Sequence, residues 1–259
     1  MITVELYGRT GNNMFQIAAA LALAKKHNTT ARFVGSSEHL EGFKLKGLSR
    51  SSVKCPNKYQ ENEFTYNPEF ANIPDNVHID GYFQSEKYFI NIEEDVRRCF
   101  SFDQNTVEKA KKWQGAKFKR IIYGDLATAL HIRRTDYLKH PDVYPQFGIE
   151  YYDKCLDKIP NKGTVLIFSD DIKWCSTAFS GRGYEFVDMP AIPSMYLMSH
   201  CKNIIMANST FSWWSTWLGK PEIAIYPKNW FGSNWPHKNK HANQEECIKD
   251  LCPSKWIAV

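Results

Sequence analysis

A chain of 259 residues with 43% hydrophobic and 24% charged side chains has an ordinary globular composition, enough for one large domain or two smaller ones. This excludes a disordered chain, a collagen-like repeat and a disulfide miniprotein. The net charge of +5 is a mild basic excess that suits an anionic ligand such as a nucleotide phosphate, but Lys and Arg are scattered rather than interleaved with aromatics, so nucleic acid is not an expected partner. The longest nearly apolar run, Met14 to Ala24, contains Gln16 and falls short of the roughly 20 residues a membrane-spanning helix needs. With no basic cluster before that run, it does not read as a secretory signal. The seven cysteines form no paired framework and read as reduced thiols, which places the chain in the cytoplasm, free or peripheral at the inner face of the membrane. His237, His241, Cys247 and Cys252 offer zinc-ligating types, but Cys-x4-Cys is looser than the usual knuckle, so no metal site is expected.

In chain order, Ile2–Tyr7 reads as a strand, followed by a turn and an Ala- and Leu-rich helix over Asn12–Lys26. That is the opening of an α/β unit. Thr30–Val34 is a second strand, and Gly35–Pro74 reads as loops and short elements. Val77–Tyr82 is a strand, Gln84–Phe89 a short helix, and Ile92–Phe100 and Thr106–Trp113 amphipathic helices. Beyond about Arg120 come short apolar runs, each closed by a polar cluster: strands at Leu126–Ile132, Val165–Phe168, Tyr184–Val187, Ile204–Ala207 and, last, Ile223–Tyr226. Helices are expected at Ile172–Thr177, Ser194–Cys201 and a Trp-rich segment ending at Gly219. Strands alternating with helices predict a mainly parallel sheet covered on both faces, with ligands bound where the strands end. A seam near residue 120 divides the chain into an N-terminal domain, 1–120, and a C-terminal domain, 121–259.

Four clusters carry the chemistry. Gly8-Arg9-Thr10-Gly11-Asn12-Asn13 is a tight strand–helix turn whose backbone N–H groups can face an anion, with Asn12 placed to cap the helix. His131-Ile132-Arg133-Arg134-Thr135-Asp136-Tyr137 follows a buried-looking strand. Paired arginines there are costly to desolvate unless an anion meets them, and guanidinium forks match a diphosphate. Asp136 can orient an arginine or act as general base, and His131 can donate a hydrogen bond or carry a proton. Ser169-Asp170-Asp171 is either a ligand-binding carboxylate pair or a helix cap. Asn208-Ser209-Thr210-Phe211 precedes a helix and makes a second phosphate cradle. Trp213, Trp214 and Trp217 read as core. No Walker loop, G-x-S-x-G elbow, Rossmann G-x-G-x-x-G or D-x-D carboxylate pair is present.

Taken in order, these clusters resemble the α-1,2-fucosyltransferases of glycosyltransferase family 11. The matching segments are Gly8–Gln16, Gly81-Tyr82-Phe83-Gln84-Ser85-Glu86-Lys87-Tyr88-Phe89, His131–Tyr137, Phe168–Asp171, Asn208–Trp217 and Asp250–Ile257. Thr10, Asn13 and Thr135 depart from the family pattern, and Arg-Arg-Thr-Asp also occurs in related α-1,6-fucosyltransferases. The resemblance implies an α/β, GT-B-like fold of two Rossmann-like domains facing across a cleft, with the C-terminal one binding GDP-fucose and the N-terminal one on the acceptor side. It further implies an inverting, metal-independent transfer of fucose, without a cofactor, to the 2-hydroxyl of a galactose-containing oligosaccharide or glycolipid in surface-polysaccharide synthesis.

On that resemblance Arg133 contacts the diphosphate, supported by His131 and Arg134. Asp170 is the guanosine candidate, Ser209, Thr210 and Phe211 serve the phosphate and ribose, Asn12 and Gly11 make a donor-side contact, and Asp136 is the first candidate for the base. The alternatives are another linkage, another GDP-sugar, or a catalytically silent sugar-nucleotide or glycan binder on the same fold.

Overall fold

The computed structural model describes residues 1–113, 115, 126–235 and 244–259. The expected seam near residue 120, together with His237 and His241 of the candidate zinc set, lies outside them. The chain divides into two compact units, Met1–Asp103 with Asn239–Pro253, and Gln104–Lys238 with Ser254–Val259. The C-terminal segment thus supplies both units in turn.

The first unit is built on a five-stranded, all-parallel sheet of order β3-β2-β1-β5-β4. β1 (Ile2–Glu5), β2 (Ala31–Val34) and β5 (Val77–Asp80) are the expected strands, and the apolar residues Ile2, Val4, Val77 and Ile79 are buried. β3 (Leu48–Arg50) and β4 (Asn57–Gln60) lie within the stretch expected to hold loops and short elements. Both are edge strands made largely of exposed polar residues, so they carry no hydrophobic alternation to read. Helix α1 (Thr10–Lys26) begins earlier than expected, with Arg9 at its N-cap and no side-chain capping bond. Asn12 therefore lies in the first turn and is not the cap. The expected helix over Gln84–Phe89 is a single 3-10 turn, Glu86–Tyr88; a second, Ile90–Ile92, follows it, and α2 spans Glu93–Cys99.

The second unit holds a six-stranded parallel sheet of order β11-β10-β9-β6-β7-β8. Its strands are β6 (Ala127–Ile132), β7 (Thr164–Ser169), β8 (Glu185–Val187), β9 (Asn203–Ile205), β10 (Ile223–Tyr226) and β11 (Ile257–Ala258). β10 is not the last strand, because the short β11 pairs outside it. From its first strand outward this is the doubly wound order 3-2-1-4-5-6, with its switch point between β6 and β9. All of β6 is buried, as a central parallel strand requires.

One face of this sheet is covered by α4 (Ile149–Leu156) and α5 (Ile172–Ala178), whose Tyr152, Cys155, Leu156 and Cys175 join Leu130, Ile132, Ile167 and Ile205 in the core. The sequence reading left α4 unassigned. Also in this unit are α3 (Gln104–Lys112), α6 (Ala191–Met198) and α7 (Thr210–Gly219); α3 packs on α6, and α6 on α7. Trp213 and Trp214 are fully buried and Trp217 nearly so, as expected of core. Helix α8 (Gln244–Ile248) belongs to the first unit. Among the described residues no helix is long and apolar enough to cross a membrane.

Candidate active site

Sheet register places the arginine loop. β6 and β7 run parallel with His131 opposite Phe168 and Ile132 opposite Ser169, so Arg133 and Asp170 leave the sheet side by side. Arg133 Nη1 lies 3.0 Å from Asp170 Oδ2, and Nη2 donates to Asp136 Oδ1 at 2.5 Å. Asp170 does more than neutralise. Its Oδ1 accepts the Arg134 backbone N–H at 2.9 Å, and its Oδ2 accepts the Thr135 hydroxyl at 2.5 Å. One carboxylate thus fixes three consecutive residues of the loop, using bonds that are stronger for being charged.

Arg134 is held differently. Its guanidinium lies 3.7 Å from the Trp174 ring centroid, a cation–π contact, and Nε reaches Asp171 Oδ2 at 3.2 Å. Asp171 also caps α5, accepting Trp174 N–H at 3.1 Å. Of the roles open in the sequence, Asp171 takes the helix cap, while Asp170 holds the arginine loop, a role the sequence did not suggest. Tyr137 closes the loop. Its ring faces the Arg133 guanidinium at 5.4 Å, stacks on Tyr144 at 4.2 Å, and its hydroxyl donates to the Asn208 carbonyl at 3.1 Å. That last bond ties the end of β6 to the segment after β9 across the switch point.

His131 is buried beneath the arginines, its carbonyl accepting from Tyr152 Oη at 3.2 Å and its ring 5.4 Å from Phe211. Burial first, and the positive Arg133 second, push its pKa down to about 3, so the imidazole is neutral near pH 7. Among the described residues its Nδ1 has no hydrogen-bond partner. Of the two roles open for His131, this environment favours the neutral hydrogen-bonding group over the proton carrier.

Ser209 is the N-cap of α7, its hydroxyl accepting Phe211 N–H at 3.3 Å. Thr210 and Phe211 are half-buried in the first turn. The second unit thus gathers His131, Arg133, Arg134, Asp136, Asp170, Ser209 and Phe211 around the switch point. Asn12 and Gly11 belong to the first unit, where Asn12 Oδ1 accepts from Gln84 Nε2 at 3.1 Å. Gly8 sits at φ +80°, where any side chain is strained, and a Cβ there would also push against the Asn12 side chain, 2.5 Å from Nδ2. Also at this end of the first sheet is Glu61, which sequence reasoning missed: it is one carboxylate in a polar stretch without pattern. Among the described residues no three His, Cys, Asp or Glu side chains gather as metal ligands.

The sequence pattern of Glycosyl transferase family 11 matches residues 1–249. The chain belongs to that family. This glycosyltransferase is 24% identical to an α-1,2-colitosyltransferase of Escherichia coli, in an alignment covering 100% of the chain and 99% of that protein. It is 36% identical to the O-antigen biosynthesis glycosyltransferase WbnK of Escherichia coli over a shorter stretch, 45% of this chain and 43% of that protein. The galactoside 2-α-L-fucosyltransferase Sec1 of Mus musculus is 24% identical, over 91% of the chain and 69% of that enzyme. In fold, the glycosyltransferase is similar to the fucosyltransferase NodZ from Bradyrhizobium, with a TM-score of 0.53 at 13% identity, covering 83% of this chain and 92% of that one. The fold is α/β and GT-B-like, two Rossmann-like units each on a parallel sheet.

Proposed function

We propose that this glycosyltransferase moves fucose from GDP-fucose to the 2-hydroxyl of a galactoside, with inversion and without a metal ion, in the assembly of a surface polysaccharide such as an O-antigen. The observation that carries the reading is Arg133, fixed between Asp136 and Asp170 at the switch point of a doubly wound sheet. Fucosyl transfer separates an oxocarbenium-like sugar from a nucleoside diphosphate leaving group. A guanidinium already oriented where charge gathers on the diphosphate stabilises that transition state without reorganising.

Two guanidinium groups face three carboxylates, so a diphosphate competes with a carboxylate for their donors. Asp136, with its side chain 38% exposed against 19% for Asp170, is the one displaced. Asp170 stays and keeps the loop in shape. Asp136 is thereby released near the reaction and keeps the role of base candidate, and Arg134 adds its charge from the Trp174 stack. The half-buried first turn of α7 serves the phosphate and ribose side, and Asn12 and Gly11 are the first unit's ligand-facing residues.

The test is mass spectrometry of the protein with GDP-fucose, EDTA and a panel of β-galactosides. The expected result is a deoxyhexose gain on one acceptor, with Arg133→Ala lowering turnover by about 10²-fold or more, the scale for deleting one preorganised charge stabiliser. Activity lost in EDTA and restored by Mn²⁺ or Mg²⁺ would overturn the metal-free mechanism. Absence of both product and GDP binding by calorimetry would overturn the donor assignment. A second reading, that the donor is another sugar nucleotide, draws on the α-1,2-colitosyltransferase aligned along the whole chain; tight GDP binding with no fucosyl product would favour it.

A further inference from the structure

The loop after β5, Gly81–Gln84, is shaped by a carboxylate that no part of the mechanism above uses. Glu61 follows directly on β4, where its N–H donates to the Asp80 carbonyl at 2.8 Å. Its Oε2 accepts Tyr82 N–H at 2.6 Å, and Phe83 N–H reaches Oε1 at 3.0 Å and Oε2 at 3.1 Å. The approach is close enough that a Cβ on residue 81 would lie 2.3 Å from Glu61 Cβ, so glycine is required there. Phe83 is held at φ +52°, a conformation costly for an aromatic residue unless its surroundings impose it. Its fully buried ring is lodged against Phe70 and Tyr88, at 5.3 and 5.5 Å. The next residue, Gln84, is the one that donates to Asn12 Oδ1.

β1 pairs with β2 on one side and β5 on the other, so the Gln84–Asn12 bond spans the carboxyl ends of β1 and β5 in the first sheet. We propose that Glu61 is a positioning residue: its carboxylate holds the Gly81–Gln84 loop so that Gln84 orients the Asn12 amide toward the ligand. This rests on the reading that Asn12 faces the sugar nucleotide. An anionic acceptor suits the task because it presents only lone pairs to two backbone donors, whereas a carboxamide would turn an N–H toward them. Burial raises the Glu61 pKa to about 7, against the lowering effect of the two backbone N–H groups. The titratable groups facing it are Asp80, which is itself paired with Lys58 at 3.0 Å, and Tyr7, Tyr59 and Tyr88. The three phenols are pushed upward and stay protonated near neutrality. Protonating Glu61 as pH falls through about 7 places an O–H beside one of the two N–H donors and changes the hydrogen bonding of the loop.

The experiment combines side-chain amide NMR with kinetics on the full chain, comparing wild type with Glu61→Gln and Gln84→Ala. In wild type the Gln84 and Asn12 side-chain amide resonances are expected to titrate near pH 7. In E61Q, checked for an unchanged melting temperature, they are displaced and no longer titrate. Transfer kcat/KM is expected to fall about 10- to 100-fold in E61Q, the scale of a small misplacement of a binding group, with its acid limb near pH 7 removed. Q84A should lose a similar amount, and the double variant no more than either alone, as residues acting through one path do.

Amide resonances unmoved in folded E61Q, or moved resonances with unchanged kcat/KM, would overturn the proposal. Should E61Q fail to fold, Q84A decides: unchanged kcat/KM there overturns it equally. Wild type that neither turns over nor binds GDP, while its amides still titrate and E61Q displaces them, would instead remove the fucosyl-transfer reading and leave the Glu61 clamp standing.

Discussion

Asp170 and His131 show how single residues prepare this site before any ligand arrives. Asp170 spends both oxygens on Arg133, Arg134 and Thr135, and His131 sits buried and neutral beneath them. The neutral state has a consequence for stability. The unfolded chain binds a proton at His131 near pH 6.5, the folded chain only near pH 3, so between these values the unfolded state holds more protons and stability falls as pH falls. Glu61 works with the opposite sign. Its folded pKa is raised from 4.5 to about 7, so its contribution is fully present below 4.5 and is lost as pH rises through 7. The two effects oppose each other between about pH 4.5 and 6.5. His131→Gln isolates one of them: relative to wild type, the variant should gain stability as pH drops from 7 to 4, by up to about 1.4 kcal/mol per pH unit. Thermal melts of both proteins across that range check it, and parallel curves would mean that His131 is not buried neutral. The arginine loop was legible in the sequence because paired arginines beside a carboxylate at a strand end have few structural explanations. The division of labour between Asp170 and Asp171 was not, since either can cap a helix and only the β6–β7 register decides which lies beside Arg133.

Legibility at the level of elements follows burial. β6 could be read because it is buried on both faces and so is mostly apolar, Thr128 and His131 apart. β3 and β4 could not, since an edge strand such as Asn57-Lys58-Tyr59-Gln60 is held by main-chain bonds to one neighbour and, Tyr59 apart, keeps its side chains in solvent. α4 escaped because it is eight residues long with only Tyr152, Cys155 and Leu156 buried, too short a run to establish a helical period. α7 is the element on which site and core meet. Trp213 packs against Trp214, Trp217 and Trp256 with ring centroids 5.1, 6.5 and 5.4 Å away, and Ser209 caps the turn that carries Thr210 and Phe211. Ser209→Ala is expected to cost about 1 kcal/mol, the usual loss for an N-cap hydroxyl. Trp213→Ala, which empties a fully buried site, should cost about 3–5 kcal/mol. Urea unfolding without ligand measures both, and a Ser209→Ala variant as stable as wild type would return that hydroxyl to a purely ligand-facing role.

At the scale of the whole chain, both sheets place their chemistry in the same kind of location. In the first, the turn after β1 and the loop after β5 meet through Asn12 and Gln84; in the second, the loops after β6, β7 and β9 meet through Arg133, Asp170 and Tyr137. The C-terminal segment was recognisable as a motif, but its use was not. Asp250 accepts Tyr66 N–H and pairs with Lys87 within the first unit, and a few residues later Trp256 and β11 complete the second. A diphosphate held chiefly by the Arg133 loop should leave a signature centred on the second unit. On the proposed donor assignment, GDP is expected to stabilise the folded protein by about 2.7 kcal/mol at a hundredfold excess over Kd. If the diphosphate is held by the Arg133 loop, hydrogen exchange should slow at residues 131–136, 169–171 and 206–211 and at the slow amides of β6, β7 and β9, while the edge strands β3 and β4 of the other sheet keep their rates. Arg133→Ala should abolish the protection without changing exchange in the ligand-free protein outside its own loop. Protection spread evenly over both sheets would mean that GDP acts by tightening the whole chain, and the Arg133 loop would lose its claim to the diphosphate.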